Sequence, residues 1–252
     1  MKKITKIELL PLELPIIKKG DDIAQLIIKT LSENTLALED NDIIVIAHTI
    51  ISRSEGKEFL LSSLSPSPLA EIIARKTGKD PSLVHLILQE AEQILKVKNN
   101  IIITKTKHGW ICANSAVDQS NAHPNCAVTL PEDSSISARY IGEKLVKHYK
   151  KNISILISDT HGRALRRGAV NVAIGSYNFS VIDDAIGRKD LFGYTLKSTI
   201  IALADELCSA AELLMGQADE KIPVVIIRGF KQRSIVSSIK ELQYEDERRL
   251  FK

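Results

Sequence analysis

The chain has 252 residues, 44% of them hydrophobic and 26% charged, with a formal net charge of +3. That is enough apolar content for one large core or two intimate subdomains. Basic residues are spread along the chain and aromatics make up only 4%, which argues against a nucleic-acid-binding face.

Three cysteines, Cys112, Cys126 and Cys208, stand without C-x-x-C spacing. They suggest neither a disulfide framework nor a zinc site, and fit a reducing interior. No apolar run approaches the roughly 20 residues that span a bilayer. The first residues read as a strand and not as a signal peptide. A soluble, cytoplasmic protein with no membrane partner is expected.

In chain order, residues 4–14 alternate and predict a strand stopped by Pro15. A turn through Gly20 leads to a helix over 23–31, with Asp21 or Asp22 as N-cap. Residues 42–51 form a second apolar strand, followed by a polar loop over 52–56. The Ser/Pro-rich stretch 61–68 is a surface crossing. A helix over 69–76 ends at Gly78, and Asp80-Pro81 opens another that runs to about Lys96. Residues 100–104 and 110–113 pair as a hairpin around Gly109, and a polar loop continues to Asn125. A helix over 135–149 is capped by Asp133 or Ser134. Strands follow at 153–157, 169–174 and 179–182. The longest helical pattern, 195–215, closes at Gly216, a strand covers 222–227, and a charged helical tail runs from 239 to 252.

The chemistry gathers first at Ile157–Gly168. A buried strand feeds into Asp159-Thr160, followed by Arg163, Arg166 and Arg167. Carboxylate and hydroxyl suit Mg²⁺ or Mn²⁺, guanidiniums suit phosphate, and ligands sit at strand ends in α/β folds. An ordinary strand exit with solvated arginines would look the same. A second stretch, 114–121, sets Asp118 beside Gln119 and Asn121. It either satisfies its own backbone through Asx turns or completes a two-carboxylate metal site with Asp159. The 215–221 loop reads first as a helix C-cap with a polar turn and otherwise as a nucleotide-contacting loop, and 187–190 as a turn or a phosphate-side basic pair. No G-x-x-x-x-G-K-[ST], G-x-G-x-x-G or G-x-S-x-G is present. Asp159-Thr160-His161 echoes metal phosphoesterases, but no histidine follows His161 to supply their remaining ligands. His85 reads as structural, while His48 and His108 either face a site or do not.

These stretches occur as an ordered set: Leu14-Pro15 with Gly20-Asp21-Asp22, Ile51–Gly56, His108-Gly109 with Cys112–Asn114, Val117–Asn121, Leu130–Asp133, Ser158–Thr160 with Gly162-Arg163, Val172–Gly175, Ala204–Leu207 and Gly216-Gln217. The set resembles the coenzyme F420:L-glutamate ligase family, nearly end to end. The resemblance implies an α+β fold, a mixed β-sheet with flanking helices in two interlocked subdomains. It implies one catalytic domain over 1–252 and a homodimer, which the charged tail would help build. The reaction implied is GTP-dependent addition of L-glutamate to the carboxylate of the unglutamylated deazaflavin, through an acyl phosphate, with Mn²⁺ or Mg²⁺ and K⁺.

The resemblance assigns the metals to Asp118, Asp159, Thr160 and Gln217, and catalysis to Asp118, Asp159 and Arg163. Nucleotide contacts map to Leu14, Pro15, Ile16 and Ile17, and to His48, Thr49, Arg53 and Asn121. They continue at Met215, Gly216, Gln217, Ala218, Asp219, Glu220, Lys221 and Ile222. Two departures stand out: Arg53 where the family usually has lysine, and His48-Thr49 where many members carry Gln-Lys. Arginine binds phosphate as a fork and lysine as a point charge. A folate acceptor, a non-catalytic nucleotide-binding relative and a metal-dependent phosphohydrolase are the competing expectations.

Overall fold

The computed structural model describes residues 6–232 and 236–249. The start of the first predicted strand and the end of the predicted tail lie outside them. The fold is α+β, with six α-helices and a mixed sheet among the described residues.

Strand β1 (Glu8–Leu12) leads to α1 (Ile23–Glu33), whose N-cap is Asp22, accepting hydrogen bonds from the N–H groups of Ala24 and Gln25. The predicted strand over 42–51 divides. Strand β2 covers Ile43–Ala47, and α2 (His48–Ser54) begins at once. An apolar β-branched run does not tell strand from buried helix by itself. Here Ile50 and Ile51 reach the core from α2. Strand β3 (Glu58–Leu60) precedes the Ser/Pro crossing. Helix α3 (Pro68–Thr77) ends on Gly78 at φ 71°, a left-handed cap that suits glycine.

Helix α4 (Pro81–Glu90) starts at Asp80 as expected and stops six residues early. Ala91 turns extended, and β4 (Ala91–Lys98) pairs with β5 (Ile101–Thr106). Ile94 and Val97, which continue a helical spacing, instead pack on the local core from the strand. Strand β6 (Ile111–Ala113) completes that three-stranded sheet. The predicted polar loop ends in β7 (Cys126–Val128), which pairs with β3. Helix α5 (Ser134–Tyr149) is capped by Asp133.

Strand β8 (Ser154–Gly162) does not end at Asp159-Thr160 but carries both in its ladder with β9 (Ala169–Tyr177). Residues 179–182 are irregular backbone rather than strand, and β10 (Asp183–Asp184) pairs with β11 (Ile200–Ile201). The long predicted helix therefore begins only at Leu203, as α6 (Leu203–Met215). Strand β12 is Val224–Arg228. In the tail, two 3₁₀ turns, Ile239–Leu242 and Asp246–Arg248, replace the expected helix.

The central sheet runs β1-β12-β2-β8-β9, with β2 and β8 parallel and the other pairs antiparallel. Both faces are apolar, so its inner strands read as unbroken hydrophobic runs. Ile44, Ile46, Ile155 and Ile157 pack one face against α1 and α5. Ile43, Val45, Leu156 and Val225 pack the other against α6 and Phe179. A third cluster joins α3 and α4 to Ile102 and Ala127. No described helix is long and apolar enough to cross a membrane.

Candidate functional site

The parallel pair β2 and β8 sets the site. Ala47 sits opposite Ser158 in the register, so the next residues, His48 and Asp159, emerge side by side where β2 and the parallel pairing end and β8 runs on. Ligands collect at that end of parallel strands. His48 Nε2 lies 3.1 Å from Asp159 Oδ1, with both side chains nearly buried. The same oxygen accepts the Thr160 N–H at 2.7 Å. Between the Ile157–Gly175 and Ser158–Ala173 pairs the register shifts, leaving Ile174 of β9 as an extra residue opposite the β8 segment that leads to Asp159, a device that re-aims side chains beside sites.

Thr160 donates through Oγ1 to Asn171 Oδ1 at 3.0 Å and accepts from Gln217 Nε2 at 2.8 Å. Asn171 Nδ2 donates to Ser158 Oγ and to Glu212 Oε2 at 2.8 and 2.6 Å, and Gln217 Nε2 also donates to Glu212. Burial raises the Glu212 carboxyl above its usual range, and the Glu220 charge adds to this against the bonds from Gln217 and Asn171. Strand β8, strand β9, helix α6 and the loop after α6 are thus joined by one polar network.

Asp118 approaches from the other side. Its backbone bridges Val128 in β7, and its carboxylate accepts the Ser120 N–H and hydroxyl at 2.8 Å. That is the Asx-type turn anticipated for this loop. Asp118 also lines the same cavity as Asp159. Asn121 Nδ2 reaches the Gln217 carbonyl at 3.4 Å across the opening.

The cavity is about 470 Å³. Leu14, Pro15, Ile16 and Ile17 form one wall, with His48, Thr49 and Arg53 beneath. Asp118, Asn121, Asp159 and Thr160 line it further. The 215–222 loop, from Met215 through Gly216, Gln217, Ala218, Asp219, Glu220 and Lys221 to Ile222, closes the far side. Arg163 is not among the lining residues. It sits at the tip of the β8–β9 hairpin, its guanidinium tied to the carbonyls of Gly168 and Arg167 at 3.1 and 2.9 Å. Arg188 and His108 are likewise outside the lining. Asn171, Glu212 and His123 also line the cavity, and no motif in the sequence marks them. Asn171 and Glu212 read as ordinary strand and helix positions, and only the fold turns them inward.

Among the described residues, no group of three or more His, Cys, Asp or Glu side chains is arranged to hold a metal. Two carboxylates, a hydroxyl and an amide nevertheless line one cavity at Asp118, Asp159, Thr160 and Gln217. Hard oxygen donors of this kind suit Mg²⁺ or Mn²⁺, which are commonly held by one or two carboxylates together with substrate phosphates and water.

A cavity assembled from distant loops at the C-terminal end of paired parallel strands, with convergent polar groups, is the architecture of an enzyme site. The family model described as F420-0:Gamma-glutamyl ligase matches residues 11–229. The chain is 48% identical over 217 residues to the coenzyme F420:L-glutamate ligase of Methanothermobacter thermautotrophicus, covering 86% of each chain. It is 46% identical over 226 residues to that of Methanopyrus kandleri, covering 90% of this chain and 87% of the relative. The Methanococcus maripaludis enzyme is 39% identical over 254 residues, covering 100% of both. The chain belongs to the F420-0:gamma-glutamyl ligase family.

Proposed function

We propose that this protein is a GTP-dependent γ-glutamyl ligase, adding L-glutamate to the carboxylate of the unglutamylated form of coenzyme F420. The observation that carries the reading is the convergence of Asp118, Asp159, Thr160 and Gln217 on one cavity in a chain of this family.

A free carboxylate is a poor acyl donor, so the reaction needs a leaving group. In the proposed course, an acceptor carboxylate oxygen attacks the γ-phosphorus of GTP, the bond to the β–γ bridging oxygen breaks, and GDP departs. The deprotonated amine of glutamate then attacks the acyl carbon. The bond to phosphate breaks, leaving an amide and inorganic phosphate. Asp118, Asp159, Thr160 and Gln217 would hold a divalent cation, Mn²⁺ or Mg²⁺, with K⁺ as an accessory ion. When bound, the divalent cation neutralises charge on the transferring phosphoryl group. Arg53 would meet phosphate oxygens, and the apolar wall from Leu14 to Ile17 would pack on the nucleoside. His48 holds Asp159 in place from below. Closing this cavity from bulk water protects an acyl phosphate from hydrolysis.

Assembly as a homodimer is part of the same reading. It is supported by Leu191 and Phe192, both 96% exposed, at the turn between β10 and β11. Large apolar side chains that join into a contiguous exposed patch mark a surface that is covered in use.

The test is ligation followed by mass spectrometry. Purified protein would be given Mn²⁺, K⁺, GTP, glutamate and either the F420 core or a folate acceptor. A product heavier by one glutamyl unit from the F420 core is expected. Addition to the folate acceptor alone would reassign the acceptor and keep the chemistry. Nucleotide binding with no product would sink the ligase reading.

A further inference from the structure

Below the cavity, one carboxylate joins two of its walls. Glu58, in β3, accepts the His123 N–H on Oε1 at 2.8 Å and meets His123 Nδ1 at Oε2, 2.7 Å away. Arg53 Nε lies 3.4 Å from Glu58 Oε1, with the two side chains 14% and 17% exposed. The geometry there is an ion pair rather than a hydrogen bond, and Arg53 Nε is buried without a hydrogen-bond partner among the described residues. No described residue accepts a hydrogen bond from the other guanidinium nitrogens, which leaves both for a ligand. Arg53 and His123 line the cavity, whereas Glu58 does not.

The backbone strengthens this link. Glu58 pairs with Val128 across the β3–β7 ladder, and Val128 exchanges two hydrogen bonds with the backbone of Asp118 at 2.9 and 2.8 Å. Glu58 therefore grips the 118–125 loop at both ends, by register at Asp118 and by side chain at His123. Burial alone would raise its carboxyl, but the His123 N–H and ring and the Arg53 charge outweigh it and hold the group below its ordinary range. It stays ionised near neutrality, so Nδ1 of His123 carries the proton of that bond.

We infer that Glu58 is a positioning residue: it orients the Arg53 fork and anchors the His123 loop so that both walls are preset for the phosphate chain of a nucleoside triphosphate. The inference rests on the nucleotide reading above. It also gives the arginine at this position a physical reason. A lysine paired with Glu58 would commit its one nitrogen to the carboxylate, whereas an arginine paired through its Nε side can still present two terminal nitrogens.

The experiment is GTP binding by calorimetry, with Mg²⁺ present, on the full chain and on E58Q, E58D, R53K and the E58Q/R53K double variant. E58Q is expected to weaken GTP about tenfold, the scale of one charge-assisted hydrogen bond, and E58D to recover part of that. In the R53K background the same change should cost only about two- to threefold, because the coupled partner is gone. In ligation assays, the KM for GTP should rise while kcat and the KM for glutamate stay nearly level, a split that general loosening would not produce. Unchanged GTP affinity in E58Q, or an equal loss in both backgrounds, would overturn the inference. Should E58Q not fold, E58D in the same cycle answers the question. Failure of the unmodified chain to bind GTP would instead overturn the nucleotide reading, and this inference with it.

Discussion

Gln217 Nε2 lies 2.8 Å from Thr160 Oγ1, closing a gap of 57 residues between the loop after α6 and strand β8. The threonine hydroxyl passes its own proton toward Asn171, so the two residues form the middle of a chain rather than an isolated pair. Thr160→Val keeps the shape and removes both bonds. Because Thr160 is exposed, folding stability should change by less than about 1 kcal/mol. Ligation should nevertheless fall at least about tenfold, the usual scale for disturbing groups around a metal site. Gln217→Ala should behave alike. Steady-state kinetics beside urea denaturation would check this, and full ligation by either variant would separate the pair from the chemistry.

His48 shields a buried acid. Removing its ring in His48→Ala leaves Asp159 without its 3.1 Å partner in a nearly closed setting. A deprived buried polar group costs about 1–3 kcal/mol, and the lost ring adds a cavity penalty. This variant should therefore lose both stability and activity, unlike Thr160→Val. A urea midpoint equal to that of the unmodified protein would contradict the account.

Gly216 stands at φ 62° and ψ −174°, backbone that side chains resist. A Cβ there would also run into the Glu220 carboxyl. Gly216→Ala should cost about 1–3 kcal/mol of local strain and displace the loop that walls the cavity. Weaker GTP binding with an intact far-UV circular dichroism spectrum is the expected result. Unaltered affinity would show that the loop tolerates the change.

Asp205, in α6, accepts the Ala173 N–H at 2.9 Å, and burial raises its carboxyl above the ordinary range. The native state therefore keeps this proton to higher pH than the unfolded chain does. Its stabilising contribution is complete below the unfolded carboxylate range and is lost as pH rises through the raised value. Asp205→Asn keeps an acceptor for Ala173 and removes the titration. Denaturation midpoints measured from mildly acidic to neutral pH should slope downward more in the unmodified protein than in the variant. Parallel slopes would refute the assignment.

Cys112 is buried, its thiol pushed up to about 12 by burial first and by the Asp159 charge second, and Cys208 is wholly buried, which raises its thiol well above the ordinary range. The thiolate is the reactive form, so neither should react with an aromatic disulfide reagent at pH 8. Cys126 is partly exposed and should react first. One thiol titrated in native protein and three in denaturant is the expected count. Rapid labelling of Cys112 would contradict the packing around Asp159.

Much of this molecule was legible locally. Asp22, Asp80 and Asp133 announce helix starts because a short carboxylate satisfies the free N–H groups of a first turn, and all three do so. Gly78 marks a helix end because its backbone must turn left-handed. The residues around Asp118, Asp159 and Gln217 sit in contiguous stretches whose order alone carries the family resemblance. What sequence could not decide was partnership. Residues 91–98 keep a helical spacing yet form β4, because β5 offers their backbone a ladder. His48 leaves a strand-like run yet opens a helix, because the parallel register of β2 and β8 delivers it to Asp159. Glu58, Asn171 and Glu212 have no local signal at all. Hydrogen bonds across 65, 13 and 41 residues give them their places, and contacts over such distances exist only once the chain has closed on itself.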